Sequence, residues 1–81
     1  MKVIGNVSHH EFGITIFSWN NKYLIKFEKD NLEQTYKISE FEVTGDEDIH
    51  EMLQNEAFLN RIAERFEAMQ QDLNEALNPE F

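Results

Sequence analysis

The sequence predicts an α+β fold in which a four-stranded antiparallel β-meander is packed on one face by a C-terminal helical segment (ββββα). Apolar residues alternate with a period of two over about residues 2–43, and they recur every three or four residues over about 46–77. At the same boundary the composition changes from strand-forming to mainly helix-forming residues. With 81 residues, the chain 1–81 is expected to be a single domain with one modest core.

Two asparagine-containing turns give the predicted strands their register. A two-residue turn at Asn20-Asn21 joins a strand over 12–19 to one over 22–29, because asparagine tolerates the positive φ that such a turn requires. Asp30-Asn31 makes a similar turn into the next strand. These registers put the following apolar residues on one face: Ile14, Ile16, Tyr23, Ile25, Phe27, Tyr36 and Ile38. A slip of one residue would move an apolar set to the opposite face, so this agreement favours a meander.

The first strand is predicted to pair with the second after a chain reversal around His9-His10. This reversal sets Val3 opposite Ile16 and Val7 opposite Phe12, on the same apolar face. The alternative is that the first strand lies elsewhere in the sheet, because a glycine interrupts this strand and the chain reversal lacks Gly, Asn or Asp.

The helical segment begins where Thr44 and Glu47 have the spacing of a capping box. Residues 54–56 interrupt the apolar pattern, and Asn55 is suited to cap a second helix. The segment is therefore either one bent helix or two. Its main apolar stripe has helical spacing: Leu59, Ile62, Phe66, Met69, Leu73 and Ala76.

The predicted helix is longer than the predicted sheet. A helix of about 22 residues is about 33 Å long, whereas a strand of about seven residues spans about 23 Å. The last helical turns should therefore overhang the sheet. Leu73, Leu77 and Phe81 would then either project into water or rest on a second copy of the protein.

The opposite face of the sheet carries exposed apolar residues, because one helical layer cannot cover both faces. Phe17, Trp19 and Leu24 fall on this face by the same register. With the surrounding lysines and the helix end they form the predicted interaction surface: Phe17, Trp19, Lys22, Leu24, Lys26, Lys37, Leu73 and Leu77. The alternative is an ordinary wet face on which lysine stems lie over the aromatic rings.

The charge of the chain restricts its partners. The formal net charge is −9, and residues 44–81 hold ten acidic residues against two arginines. This argues against a duplex nucleic acid partner and against an anionic membrane surface, since both require clustered basic charge. No apolar run approaches the roughly 20 residues that span a bilayer, and residues 1–8 lack the apolar region of a secretory signal. We therefore expect a cytoplasmic protein that has no membrane contact.

No motif in the sequence indicates catalysis, so we expect no catalytic residue, no cofactor and no metal. The chain has no cysteine, and its three glycines are too scattered for a phosphate-binding loop. Residues 9–11, His-His-Glu, come nearest to a metal motif, but adjacent histidines in a strand or turn are expected to point to different sides. A metal site would need His50 or more carboxylates. The acidic segment 46–51 lacks the ligand spacing of an EF-hand.

Three functional hypotheses follow from these features. The first is a non-enzymatic structural or interaction module that self-associates as a homodimer or binds another protein, through the outer sheet face or the helix end. The second is a single-stranded nucleic acid binder that stacks bases on Phe17 and Trp19. The third is a metal-binding protein or metal-dependent enzyme that uses His9, His10, His50 or the acidic segment.

Overall fold

The computed structural model describes residues 1–78 and contains four strands followed by two helices. The elements are β1 Lys2–Ser8, β2 Gly13–Trp19, β3 Lys22–Lys29, β4 Leu32–Ser39, α1 Asp46–Met52 and α2 Glu56–Leu77. The strands form one antiparallel sheet in the order β1-β2-β3-β4, which confirms the predicted meander and the α+β fold. No helix among residues 1–78 is long and apolar enough to cross a membrane.

The two asparagine-containing turns have the predicted registers. Asn20 and Asn21 have φ angles of 49° and 60°, and Asp30 has a φ of 53°. These left-handed conformations match the twist of the flanking strands, which is why two residues suffice to join them. Ile25 lies opposite Ile16 on one side and opposite Tyr36 on the other, as predicted.

The predicted register of β1 is wrong, although its place beside β2 is confirmed. Gly5, not Val3, lies opposite Ile16, and Val7 lies opposite Ile14. The register shifts between Val3 and Gly5, where a β-bulge inserts one extra residue. Beyond the bulge Val3 lies opposite Phe17, which places it on the outer face of the sheet and not in the core.

The connection between β1 and β2 has four residues because Phe12 leaves the strand to enter the core. The amide of His9 donates to the Phe12 carbonyl at 3.1 Å and closes the loop. The Phe12 side chain is buried, and its ring lies 5.7 Å from that of Phe27 and 5.9 Å from that of Phe66. Burying a phenylalanine contributes about 1.5–3 kcal/mol, which favours this loop over a tight turn.

The core lies between the inner face of the sheet and the two helices. The buried residues from the strands and the loop are Phe12, Ile14, Ile16, Ile25 and Phe27, and those from the helical segment are Ile49, Leu53, Leu59, Ile62 and Phe66. A buried amide, Gln34 on β4, ties the sheet to α2 by donating to the Ile62 carbonyl at 3.0 Å. Arg65 donates to the side-chain oxygen Oε1 of Gln34 at 3.1 Å and to the Tyr36 hydroxyl at 3.0 Å. The first half of α2 is therefore fixed over β4 by both apolar and polar contacts.

The interruption of the apolar pattern separates two helices. Asn55 precedes α2, and its side-chain oxygen accepts from the Phe58 amide at 3.2 Å, as expected of an N-cap. This bond satisfies one of the amides that have no partner within the helix.

We expect Asn55→Ala to lower the free energy of unfolding by about 1 kcal/mol, because the Phe58 amide loses its partner. Urea unfolding followed by circular dichroism measures this change. Asn60→Ala, at an exposed position inside the same helix, is the control. Equal stability of the Asn55 variant and the wild type would show that the cap contributes nothing.

The predicted capping box at Thr44 is wrong, because α1 begins after Gly45 without a side-chain cap. Instead, the amide and the hydroxyl of Thr44 both donate to Asp48 Oδ2, at 2.7 and 3.0 Å. Both bonds lower the pKa of Asp48, and the bond from the Thr44 amide has the larger effect. At the start of α1, Asp46 accepts from the Tyr23 hydroxyl at 2.8 Å, which raises the pKa of that hydroxyl and holds α1 against β3.

Thr44→Val should raise the pKa of Asp48 part of the way to its ordinary value, because one of two donors is removed. The bonded carboxylate stabilises the fold above the ordinary aspartate pKa, and this contribution is lost as the pH falls through the lower folded value. NMR titration of the Asp48 carboxyl carbon measures the shift, and Thr44→Ser, which keeps the hydroxyl, should leave it in place. An unchanged pKa in the valine variant would contradict the assignment.

Candidate interaction surface

The outer face of the sheet points away from both helices and carries the first part of the surface. Phe17 lies opposite Leu24, and Trp19 lies opposite Lys22, as predicted. The β1 bulge adds Val3 opposite Phe17. Met1, together with Phe17 and Leu24, lines a shallow groove of about 210 Å³. We call the resulting surface the outer patch: Met1, Val3, Phe17, Trp19 and Leu24.

The members of the outer patch differ in their exposure to solvent. Trp19 is 46% exposed, and Met1 and Val3 are also exposed. Phe17 is half-buried. Leu24, predicted as part of the same exposed face, is only 7% exposed and therefore forms the floor on which the other residues lie. The centre of the patch is thus packed, and its accessible apolar area comes from Met1, Val3 and Trp19.

Lysines surround the outer patch on β3 and β4. Lys37 lies opposite Leu24 across the two strands, and Lys22 lies opposite Trp19. Lys26 Nζ lies 3.9 Å from a Glu28 carboxylate oxygen and 3.8 Å from one of Glu33. Part of the lysine charge is therefore compensated locally, while Lys22 and Lys37 form no ion pair with residues 1–78.

The end of α2 forms the second part of the surface. Met69 is half-buried, and every residue from Gln70 to Asn78 is exposed, including Leu73 at 40% and Leu77 at 70%. The predicted overhang is confirmed for these residues, whereas Phe81 lies outside the described part of the chain. The apolar stripe of α2 is therefore a core face in its first half and a free surface in its second.

The end of α2 is also acidic. Residues 66–78 contain Glu67, Asp72 and Glu75 and no basic residue. The carbonyl end of a helix carries a partial negative charge that cations stabilise and acids destabilise. With no basic residue in the last turn, this end of α2 lacks the charge that would complement it.

The two parts of the surface lie on opposite faces of the sheet. Trp19 is next to the Asn20-Asn21 turn, but the groove of the outer patch extends along the outer face to Lys26 and Glu33. The α2 helix packs on the inner face and passes the Asp30-Asn31 turn, where Asn74 and Lys29 line one groove of about 330 Å³. The structure therefore does not bring the predicted residues of the sheet and those of the helix together within one copy.

The β1–β2 loop brings together three side chains that could ligate a metal. The rings of His9 and His10 stack with centroids 4.2 Å apart, and their ligand atoms lie within 4.8 Å of that of Glu11. The expectation that these histidines point to different sides is wrong here, because the loop is not an extended strand. However, His9 Nδ1 already accepts from the Glu11 amide at 3.1 Å, and His50 lies in another groove, beside Asp46. Within residues 1–78 the cluster therefore brings together three potential ligand side chains, and His50 is not among them.

Comparisons with known proteins identified no relative of this chain. Neither the family models, nor the curated proteins, nor the solved structures gave a match to this chain. The function of the chain must therefore be inferred from the geometry of its own surface.

Proposed function

We propose that this protein is a non-enzymatic interaction module that self-associates through the outer patch. One observation carries the proposal: the outer face of the sheet presents the exposed apolar side chains of Met1, Val3 and Trp19 around a packed centre, and no helix among residues 1–78 covers it, whereas the other face holds both helices. Exposed apolar clusters of this kind mark interaction sites. A homodimer is the smallest assembly that would cover the patch.

The composition of the outer patch suits an interface. Tryptophan is enriched among the residues that contribute most to binding, and Trp19 stands beside the buried floor at Leu24. Burial of apolar area contributes about 25 cal/mol per Å², before the costs of association are subtracted. The net charge of −9 opposes non-specific aggregation, so association needs a complementary surface.

Sedimentation equilibrium at several concentrations, with tryptophan fluorescence read on the same samples, tests the proposal. We expect the average mass to rise with concentration and the emission of Trp19, the single tryptophan, to shift to the blue as it is buried. Trp19→Ala should weaken association by at least about tenfold, the effect of losing one interface anchor. The control is Phe41→Ala, because Phe41 is an exposed aromatic residue, at 86%, outside the strands.

A wild-type protein that stays monomeric with solvent-exposed Trp19 emission would overturn the proposal. It would favour a second candidate, single-stranded nucleic acid binding, which the pairing of Trp19 with Lys22 on an open face supports. The two glutamates beside Lys26 and the net charge of −9 weigh against it. Titration with a labelled oligonucleotide at low salt distinguishes the two, since only the second candidate expects binding that Trp19→Ala removes.

A further inference from the structure

We infer that the surface which covers the outer patch is the overhanging end of α2 from a second copy of the chain. This inference rests on the proposed function and names the partner surface for the same patch. It assigns both uncovered apolar surfaces of residues 1–78 to a single contact. The alternatives, in which patch meets patch or helix end meets helix end, would leave one of the two surfaces uncovered.

The two surfaces agree in apolar character, and the helix end is small enough to lie on the patch. On α2, Leu73 and Leu77 are four residues apart, so they lie on one side of the helix and span about 6 Å along its axis. Met69, one turn earlier, packs against the core of its own chain. The outer patch crosses three adjacent strands, which are about 10 Å apart from first to last. One helix end can therefore lie across the patch.

The two surfaces also have complementary charge. The patch is bordered by Lys22 and Lys37, which have no ion-pair partner in residues 1–78, and the helix end carries Glu67, Asp72 and Glu75. Lysines next to the carbonyl end of α2 would offset both these carboxylates and the helix dipole. A contact between two patches, or between two helix ends, would instead place like charges together.

The positions of the two surfaces determine the kind of assembly. Because the outer patch and the helix end are on opposite faces of the sheet, a helix cannot cover the patch of its own chain. The contact therefore joins copies head to tail, and each added copy offers a new patch and a new helix end. Contacts of this type close into a ring of two or more copies where the rotation between copies permits, and otherwise form open chains.

Mixing two single-site variants tests this arrangement. Trp19→Ala disables the patch and removes the only tryptophan, whereas Leu77→Glu disables the helix end at an exposed position. We expect each variant alone to associate at least about tenfold more weakly than the wild type. An equimolar mixture should form a heterodimer and nothing larger, because one intact patch and one intact helix end remain. Ala68→Glu, an exposed position on the opposite side of α2, is the matched control and should associate normally.

Fluorescence identifies which surfaces meet in the mixture. All tryptophan emission comes from the Leu77→Glu copy, so a blue shift of that emission on adding the Trp19→Ala copy shows that a helix end has covered an intact patch. Normal association of Leu77→Glu alone would overturn the inference and leave the proposed function standing. A mixture without heterodimer would also overturn it. A monomeric wild type would remove both the inference and the proposed function.

Discussion

Replacing Phe27 with alanine should lower the free energy of unfolding by about 3–5 kcal/mol, the usual cost of deleting a buried aromatic side chain. Phe27 is fully buried at 0% exposure, and it is the centre of the aromatic core. Its ring lies at 5.7 Å from that of Phe12, 6.1 Å from that of Tyr36 and 5.9 Å from that of Phe58, each in an edge-to-face arrangement. The cavity left by alanine would separate β3 from its contacts with the loop, with β4 and with α2.

The loss is large compared with the total stability of a small domain, which is roughly 0.05–0.15 kcal/mol per residue. Urea unfolding followed by circular dichroism measures it, and the variant should unfold at a much lower urea concentration than the wild type. Phe41→Ala is the control, because the same atoms are removed from a side chain that is already in water. A Phe27 variant as stable as the Phe41 variant would show that the core does not lie where the structure places it.

The second large effect is a difference in the free energy of unfolding between variants in the two halves of the apolar stripe of α2. Leu59→Ala should cost about 2–5 kcal/mol, because Leu59 is buried in the core cluster. Leu77→Ala removes the same atoms from the same helix at an exposed position, and a surface change of this kind stays within about 0.5 kcal/mol. The two variants are measured by urea unfolding at protein concentrations low enough to keep the chain monomeric.

The contrast between these two leucines depends on the overhang of α2. If Leu77→Ala destabilises the monomer as much as Leu59→Ala, the end of the helix must pack against its own chain. That result would contradict the free helix end on which the head-to-tail contact depends. A small effect at Leu77 in the monomer, combined with a loss of association in Leu77→Glu, is what the contact requires.

The parts of the fold that could be predicted from the sequence are those set by short-range chemistry. Asn20 and Asn21 adopt the positive φ that their amide side chains tolerate, and this fixes the pairing of β2 with β3. Asn55 caps α2 because its side chain reaches an amide three residues away. Such features depend on residues that are close in the sequence, so they can be predicted from the sequence alone.

The β1 bulge was not predictable in the same way, and it decides the composition of the interaction surface. Alternation alone put Val3 on the core face, because one period of two was assumed along the whole strand. The burial of Phe12 lengthens the loop after β1 and shifts the pairing by two residues, which leaves each residue on its face. The bulge next to Gly5 shifts it by one residue and so moves Val3 to the outer face. The glycine marks an irregular position in the strand, but alternation does not show which residues it moves to the other face.

Because the helices follow the strands in the chain, the core cannot close until the helices have been synthesised. Each strand pairs with its neighbour in sequence, and such local pairings form quickly. The isoleucines of the inner face, however, have no cover until the residues of α2 arrive: Leu59, Ile62 and Phe66. A nascent chain therefore holds a paired but one-sided sheet, which is prone to misassociation until Phe66 has left the ribosome and folded back onto Phe12.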